Sequence, residues 1–535
     1  MTTQLDDNEV GSPRSPEIRD GSNDVLSYLP TELITAILGH LHYTGSVTSY
    51  RYIAGRPEIR QEYIEARSDF SSLCRVSKFL YPIASRRLYH TIVLQSEKEL
   101  FLFFRTIAND VNLRLAVRSF AWDGHLSVDD NELASLALTC WGSGTCWRPS
   151  SPEDIHIAQL MGISDDTLHS WRVLGAVLAM ISEVKSLFVL LDFEEAAQPQ
   201  VQVPGSNPRC LEQDALRQLI PIVGGENRVV DRQFLQKLEV VAFEPHVSVD
   251  RVMVMEGTCT LILKNSPLLR RIELKGGMWF KGVVALREYE GSNVVWENVK
   301  ELIQFGATAL DIASIVTVFP HLSVLEIELQ NGAAPSIFED DPPTSQALLR
   351  VSRTLETLSL MTALGKNSWV RVEPALLPAL KRMKALKHLT TESIWLCGRE
   401  GNFDSSSPAD FQLSDLLPPT LESFHLIDHW GMDMSKTFYP SQFPNDWTPL
   451  QFYGHFFWKI YDECATRTPS LRHIAFAPHP YLFSDLTTND QPRTALELLN
   501  RFRDLFARIG VRFSLTTRRA AATQRHLSWA NMGNV

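Results

Sequence analysis

One short pattern recurs along most of the chain: an apolar residue, two variable ones, an apolar residue, one variable, then a third apolar residue. Val117-x-x-Phe120-x-Trp122, Val184-x-x-Leu187-x-Val189, Leu238-x-x-Val241-x-Phe243 and Leu269-x-x-Ile272-x-Leu274 carry it. So do Leu322-x-x-Leu325-x-Ile327, Leu355-x-x-Leu358-x-Leu360, Leu421-x-x-Phe424-x-Leu426 and Leu471-x-x-Ile474-x-Phe476. Val299-x-x-Leu302 and Leu386-x-x-Leu389 keep only the first half. In the middle of the chain the units start at 238, 269, 299, 322, 355, 386 and 421, intervals of 31, 30, 23, 33, 31 and 35 residues. Alternation with period two makes a short strand with one buried face. The segments before two of the units, ALDIASIVTV and EPALLPALKR, are helix-like. A strand and a helix in the same order in every unit stack into a parallel sheet lined by helices. No unit can bury its apolar face alone, so neighbours complete the core; three buried residues per unit contribute roughly 5–8 kcal/mol before entropy is charged.

The units resemble the LxxLxL strand of leucine-rich repeats, whose period is similar. That resemblance implies an α/β fold over residues 96–515, an irregular solenoid with a parallel sheet lined by helices. The spacer asparagine of that family is missing throughout, and an ordinary α/β domain whose strands begin this way is the alternative. TALELLNRFRDLFARIG, a strongly amphipathic helix, and the short strand VRFSL are expected to cap the open end of the sheet. The long connections Asp123–Asp154, Ala196–Asn227, Gly276–Asn293, Gln330–Ser345, Gly398–Asp410 and Asp428–Leu450 are expected to rim it. Residues 1–24 and 516–535 read as polar, disordered tails.

Ahead of the repeats, LPTELITAILGHL places Leu33, Ile34, Ile37, Leu38 and Leu41 on one helical stripe, with Pro30 suited to the first turn. Three turns are marginal alone in water, so the stripe must pack on a partner. DFSSLCRVSKFLYPIASRRLYHTIVL supplies one: Asp69 as helix cap, Leu73, Val76, Phe79 and Leu80 as apolar positions, Pro82 as an interruption, and Thr91–Leu94 as a β-like run. Leu29-Pro30-x-Glu32-Leu33, the LCRVSK segment and the Leu88-Tyr89 pair together resemble an F-box of the fungal type over residues 25–95. The resemblance implies docking on a Skp-type adaptor and, through it, a cullin ubiquitin ligase. Leu29, Pro30, Leu33, Ile37 and Leu41 match the first helix of the motif; Leu73, Val76, Leu88 and Tyr89 match the later part. An F-box joins its first two helices by a short loop, whereas residues 43–68 intervene here. That insert either packs beside the motif or obstructs the adaptor. The alternative reading is a helical cap over the end of the next domain.

Composition narrows the chemistry. The 535 residues carry 51 basic and 62 acidic side chains, a net charge of −11, which argues against nucleic acid as the main partner. No apolar run approaches the ~18 residues a membrane helix needs. Seven scattered cysteines and no Asn-x-Ser/Thr acceptor fit a reducing cytoplasmic or nuclear setting. No P-loop, G-x-S-x-G, H-E-x-x-H or dinucleotide glycine pattern occurs, so no catalytic residue, cofactor or metal is expected. Cys140 and Cys146 lack the tight pairing of a zinc site.

The strand pattern puts Arg271, Glu273 and Lys275, then Glu326 and Glu328, then Thr357 and Ser359, then His388, Thr390 and Glu392, then Ser423 and His425, on the face opposite the core. About ten strands would spread them over an arc of roughly 40–45 Å. Such a mixed-charge face suits a protein target, with Arg271, Glu273, Glu326, Glu328, Thr357, His388, Glu392 and His425 as candidate contacts, or is simply solvated. FPNDWTPLQFYGHFFW, residues 443–458, reads as an aromatic loop, either a second contact or a buried satellite cluster. The expected function is a substrate-recruiting ligase subunit; the rivals are a non-ligase repeat scaffold and an enzyme on an α/β scaffold.

Overall fold

In the main sheet each strand after the first pairs in parallel with the main-sheet strand before it in the chain. The computed structural model describes residues 30–39, 57–76, 78–124, 170–191, 235–245, 253–254, 262, 266–274, 278–279, 296–307, 312–329, 344–362, 377–392, 417–428, 449–478 and 491–516. The strands are β1 (Thr91–Leu94), β2 (Ser119–Trp122), β3 (Ser186–Leu191), β4 (Val240–Pro245), β5 (Met253–Val254), β6 (Arg271–Leu274) and β7 (Met278–Trp279). They continue as β8 (Glu301–Ala307), β9 (Val324–Leu329), β10 (Thr357–Thr362), β11 (His388–Glu392), β12 (Ser423–Ile427), β13 (His473–Ala477) and β14 (Arg512–Leu515). β5 and β7 pair separately; the other twelve form one sheet in the order β1-β2-β3-β4-β6-β8-β9-β10-β11-β12-β13-β14. Helices α1 (Thr31–Gly39), α2 (Pro57–Val76) and α3 (Tyr81–Leu88) precede the sheet. α4 (Glu97–Asn109), α5 (Val111–Ala116), α6 (Ser170–Met180), α7 (Ile312–Val318), α8 (Thr344–Arg350), α9 (Leu377–Leu380), α10 (Pro449–Arg467) and α11 (Gln491–Arg508) lie between strands. The fold is therefore α/β with a parallel sheet, as the repeated pattern predicts.

Each apolar unit straddles the start of a strand. Its three apolar side chains are buried in one continuous core, for example Leu238, Val241 and Phe243, or Leu421, Phe424 and Leu426. The two half-units are strands as well: at their third place stand Gln304 in β8 and Thr391 in β11, both buried. One register therefore runs through all twelve strands. β1 opens the sheet from directly after the helical head, with Tyr89, Ile92 and Leu94 spaced like the later units.

A second regularity lies at the residue after the first apolar one. The carbonyls of His90, Arg118, Lys185, Glu239, Arg270, Lys300, Ser323, Glu356, Lys387 and Glu422 each accept two backbone N–H groups from the next unit. Most of these residues are charged, and parallel stacking sets unlike charges side by side around Glu239 and Lys387, although Arg118 beside Lys185 and Arg270 beside Lys300 are like charges. Lys185 meets Glu239 at 2.8 Å and Lys387 meets Glu356 at 2.9 Å. Arg118 and Lys237 both pair with Glu183. Exposed pairs of this kind contribute about 0–1 kcal/mol each, so the rim helps register more than stability.

Three local expectations are corrected. α2 runs unbroken from the insert through Val76, so Asp69 lies in mid-helix and caps nothing. Pro82 sits at the start of α3, where its lost N–H is harmless, rather than kinking a longer helix. The described part of the aromatic stretch belongs to α10, with Tyr453, Phe456 and Phe457 in the main core. The C-terminal cap forms as expected: α11 buries Leu499, Phe502 and Phe506. Gly510 (φ +76°) then turns the chain into β14, as Val511 N–H donates to the Phe506 carbonyl at 3.0 Å.

Candidate functional site

Two surfaces carry the residues that the sequence singled out. The first is the helical head, α1–α3. Its core is a small cluster of its own, Ile34 and Leu38 from α1, Phe70 from α2, and Leu80 and Ala84 near α3. Leu73, Cys74, Ile83 and Leu88 pack against it, half-buried. The apolar stripe of α1 is thus split. Ile34 and Leu38 are 3% and 5% exposed, whereas Leu33 and Ile37, one position earlier, are 48% and 49% exposed. A ~100° apolar stripe is wide enough for one edge to be buried while the other stays open. Val76 is 81% exposed, and Phe79 and Tyr81 also reach solvent. Pro30 is exposed, and its carbonyl accepts the N–H groups of Leu33 and Ile34 at 3.0 and 3.1 Å. Leu29 and Leu41 lie outside the described residues. Tyr89 is half-buried and stacks on Phe103 at 6.2 Å; burial pushes its phenol pKa up. Tyr89 and Leu88 therefore join head to sheet, while Leu33, Ile37 and Val76 point out.

The second surface is the sheet face opposite the helices. Register places Arg271 beside Glu301, and aligns Glu273, Ile303, Glu326, Ser359, Thr390 and His425 in one row across six strands. Glu328 and Glu392 lie one row further on. All the candidate contacts thus share one face, as period two requires. That face is not an open, solvated one. Glu273 and Glu326 are each 4% exposed, and Thr357, Ser359, Thr390 and Glu392 are buried too. Only the periodicity was legible in sequence; what covers a strand residue is a matter of tertiary packing.

Chemistry on this face changes along the sheet. Over β1–β4 it is apolar: Val93, Ala121, Phe188, Leu190 and Ala242 form a cluster with Tyr63 of α2. Over β6–β9 it is charged. Arg271 contacts Glu273 at 2.7 Å and Glu301 at 3.3 Å. Burial works against the Arg271 charge, but Glu273, Glu301 and Glu326 outweigh it and raise its pKa. Over β11–β14 imidazoles and hydroxyls dominate. The His425 and His473 rings meet edge to face at 5.3 Å, and His473 Nε2 lies 2.9 Å from Ser514 Oγ. Burial lowers the pKa of both His388 and His473, in His473 with help from Arg512. Sequence reasoning missed His473 and Ser514, although both occupy the outward places of their units.

Among the described residues no group of three His, Cys, Asp or Glu is arranged to hold a metal ion. No described helix is long and apolar enough to cross a membrane. Lys275, Cys140 and Cys146 lie outside the described residues. A scan against protein-family models finds no match, and a comparison with curated proteins finds none either.

Proposed function

We propose that this chain is a substrate-recruiting subunit of a cullin-based ubiquitin ligase. In this reading α1–α3 form an F-box that docks a Skp-type adaptor, and the sheet is an irregular leucine-rich-repeat-like solenoid that holds a target protein. The observation that carries the reading is the split stripe of α1. Ile34 and Leu38 suffice to anchor the helix, which leaves Leu33 and Ile37 free to bury against a partner. Two exposed aliphatic side chains one turn apart are the residue positions that the F-box resemblance assigns to adaptor contact. The sequential parallel order of twelve strands supports the repeat reading. The chain brings no nucleophile, cofactor or metal to the reaction in this proposal; its contribution is proximity between target and conjugating machinery. A cytoplasmic or nuclear location follows from the same proposal. A non-ligase scaffold is the second reading, favoured by the insert, whose helical part extends α2 beyond the motif.

Binding to a purified Skp-type adaptor, with and without cullin, tests the proposal. Leu33→Asp with Ile37→Asp should abolish binding and leave thermal stability within about 0.5 kcal/mol of wild type, because exposed sites tolerate change. Ile34→Ala with Leu38→Ala should instead destabilise the head by about 2–5 kcal/mol per site, as buried truncations do. Wild-type chain that binds no adaptor would overturn the ligase reading. Adaptor binding without cullin recruitment would favour the scaffold.

A further inference from the structure

α2 enters two side-chain clusters that share no residue, a second tie between head and sheet beside the one that α3, Leu88 and Tyr89 make. Phe70 enters the head cluster with Ile34, Leu38, Leu80 and Ala84. Tyr63 enters the apolar cluster of the opposite sheet face with Val93, Ala121, Phe188, Leu190 and Ala242, and Ala66 packs beside it. Seven residues separate Tyr63 from Phe70, about two turns or ~10 Å along one face of a helix. One continuous helix therefore carries one large buried ring into each cluster.

The Tyr63 hydroxyl adds a directional contact. It accepts the backbone N–H of Val93 at 3.1 Å, and Arg67 Nη1 donates to it at 3.0 Å. β1 is an edge strand. Its His90 and Leu94 carbonyls accept from β2 or its flanks, so the alternation of a parallel ladder turns the Val93 N–H to the outer edge. Tyr63 supplies the partner that a further strand would otherwise give.

We propose that α2 is a strut that locks the helical head to the sheet, with Tyr63 as its pin. The exposed Leu33–Ile37 edge thereby keeps one orientation relative to the strand-lined face. The helical part of the insert then packs beside the head and sets this geometry. The proposal stands on packing alone and holds whether or not α1 binds an adaptor.

Hydrogen exchange and small-angle scattering on the full chain test it, with wild type beside Tyr63→Ala and Tyr63→Phe. Tyr63→Ala should speed exchange over residues 57–69 by at least about tenfold, the expected result of freeing a locally held unit. It should also broaden the scattering distance distribution, while residues 70–88 and β8–β13 keep wild-type protection. Tyr63→Phe keeps the ring and loses the hydroxyl, so faster exchange should be confined to Val93 and its neighbours. Unchanged protection of residues 57–69 in Tyr63→Ala would overturn the strut. Loss of protection throughout the head and sheet would overturn it too, by showing one undivided unit. Unchanged Val93 exchange in Tyr63→Phe would remove the pin.

Discussion

Phe457→Ala should release the C-terminal cap while leaving the far end of the sheet intact. Phe457 is fully buried in α10 and its ring has four aromatic neighbours. The centroids of Phe456, Phe476, Phe502 and Phe513 lie at 5.3, 5.2, 5.6 and 5.1 Å. Those rings belong to α10, β13, α11 and β14, so a single side chain joins the last two strands to the helix that covers them. Truncating a buried Phe to Ala costs about 3–5 kcal/mol, a transfer term plus the cavity left behind. β13 and β14 stand at one end of the strand order and β1–β4 at the other, so the loss should stay local. Hydrogen exchange should show α11 and β14 opening with most of their protection lost, while β1–β4 exchange at wild-type rates. Urea unfolding should split into an early C-terminal step and a later one, with a smaller m-value for each. Phe457→Leu keeps much of the volume and should cost less. A uniform loss of protection along all twelve strands would refute the local argument. A loss below about 1 kcal/mol would refute the claim that this ring holds the cap, given the range for buried truncations.

Two further outcomes are expected. Burial, with Arg512 beside it, lowers the His473 pKa from the ordinary 6.5. Its stability contribution is therefore present above pH 6.5 and lost as pH falls through the folded-state value. His473→Gln should flatten the decline in urea stability between about pH 7 and 5, and equal slopes for variant and wild type would refute this. Gly510→Ala should cost about 1 kcal/mol in thermal or urea unfolding, through backbone strain at positive φ. No atom stands within 4 Å of the added Cβ, so a loss well beyond that would mean something other than φ is at stake.

The features of the helical head and of the sheet divide by how local their causes are. Period two and the apolar units located the strands and settled which residues share a face, because both depend only on the backbone and the residues themselves. β8 and β11 form even though Gln304 and Thr391 take an apolar place, since neighbouring strands supply their ladder. The sequence also marked α1, the C-terminal helix and β14. It did not separate the two edges of the α1 stripe: Leu33 and Ile34 are equally apolar, and only the position of Phe70, Leu80 and Ala84 decides which is buried. Asp69 looked like a helix start because capping residues read alike in mid-helix, but PEIRQEYIEARS before it is helical and carries the helix through. The burial of Glu273, Glu326 and Glu392, and the meeting of Tyr63 with Val93, belong wholly to tertiary structure. Each depends on segments far apart in the chain, and no short window of residues contains both sides of such a contact.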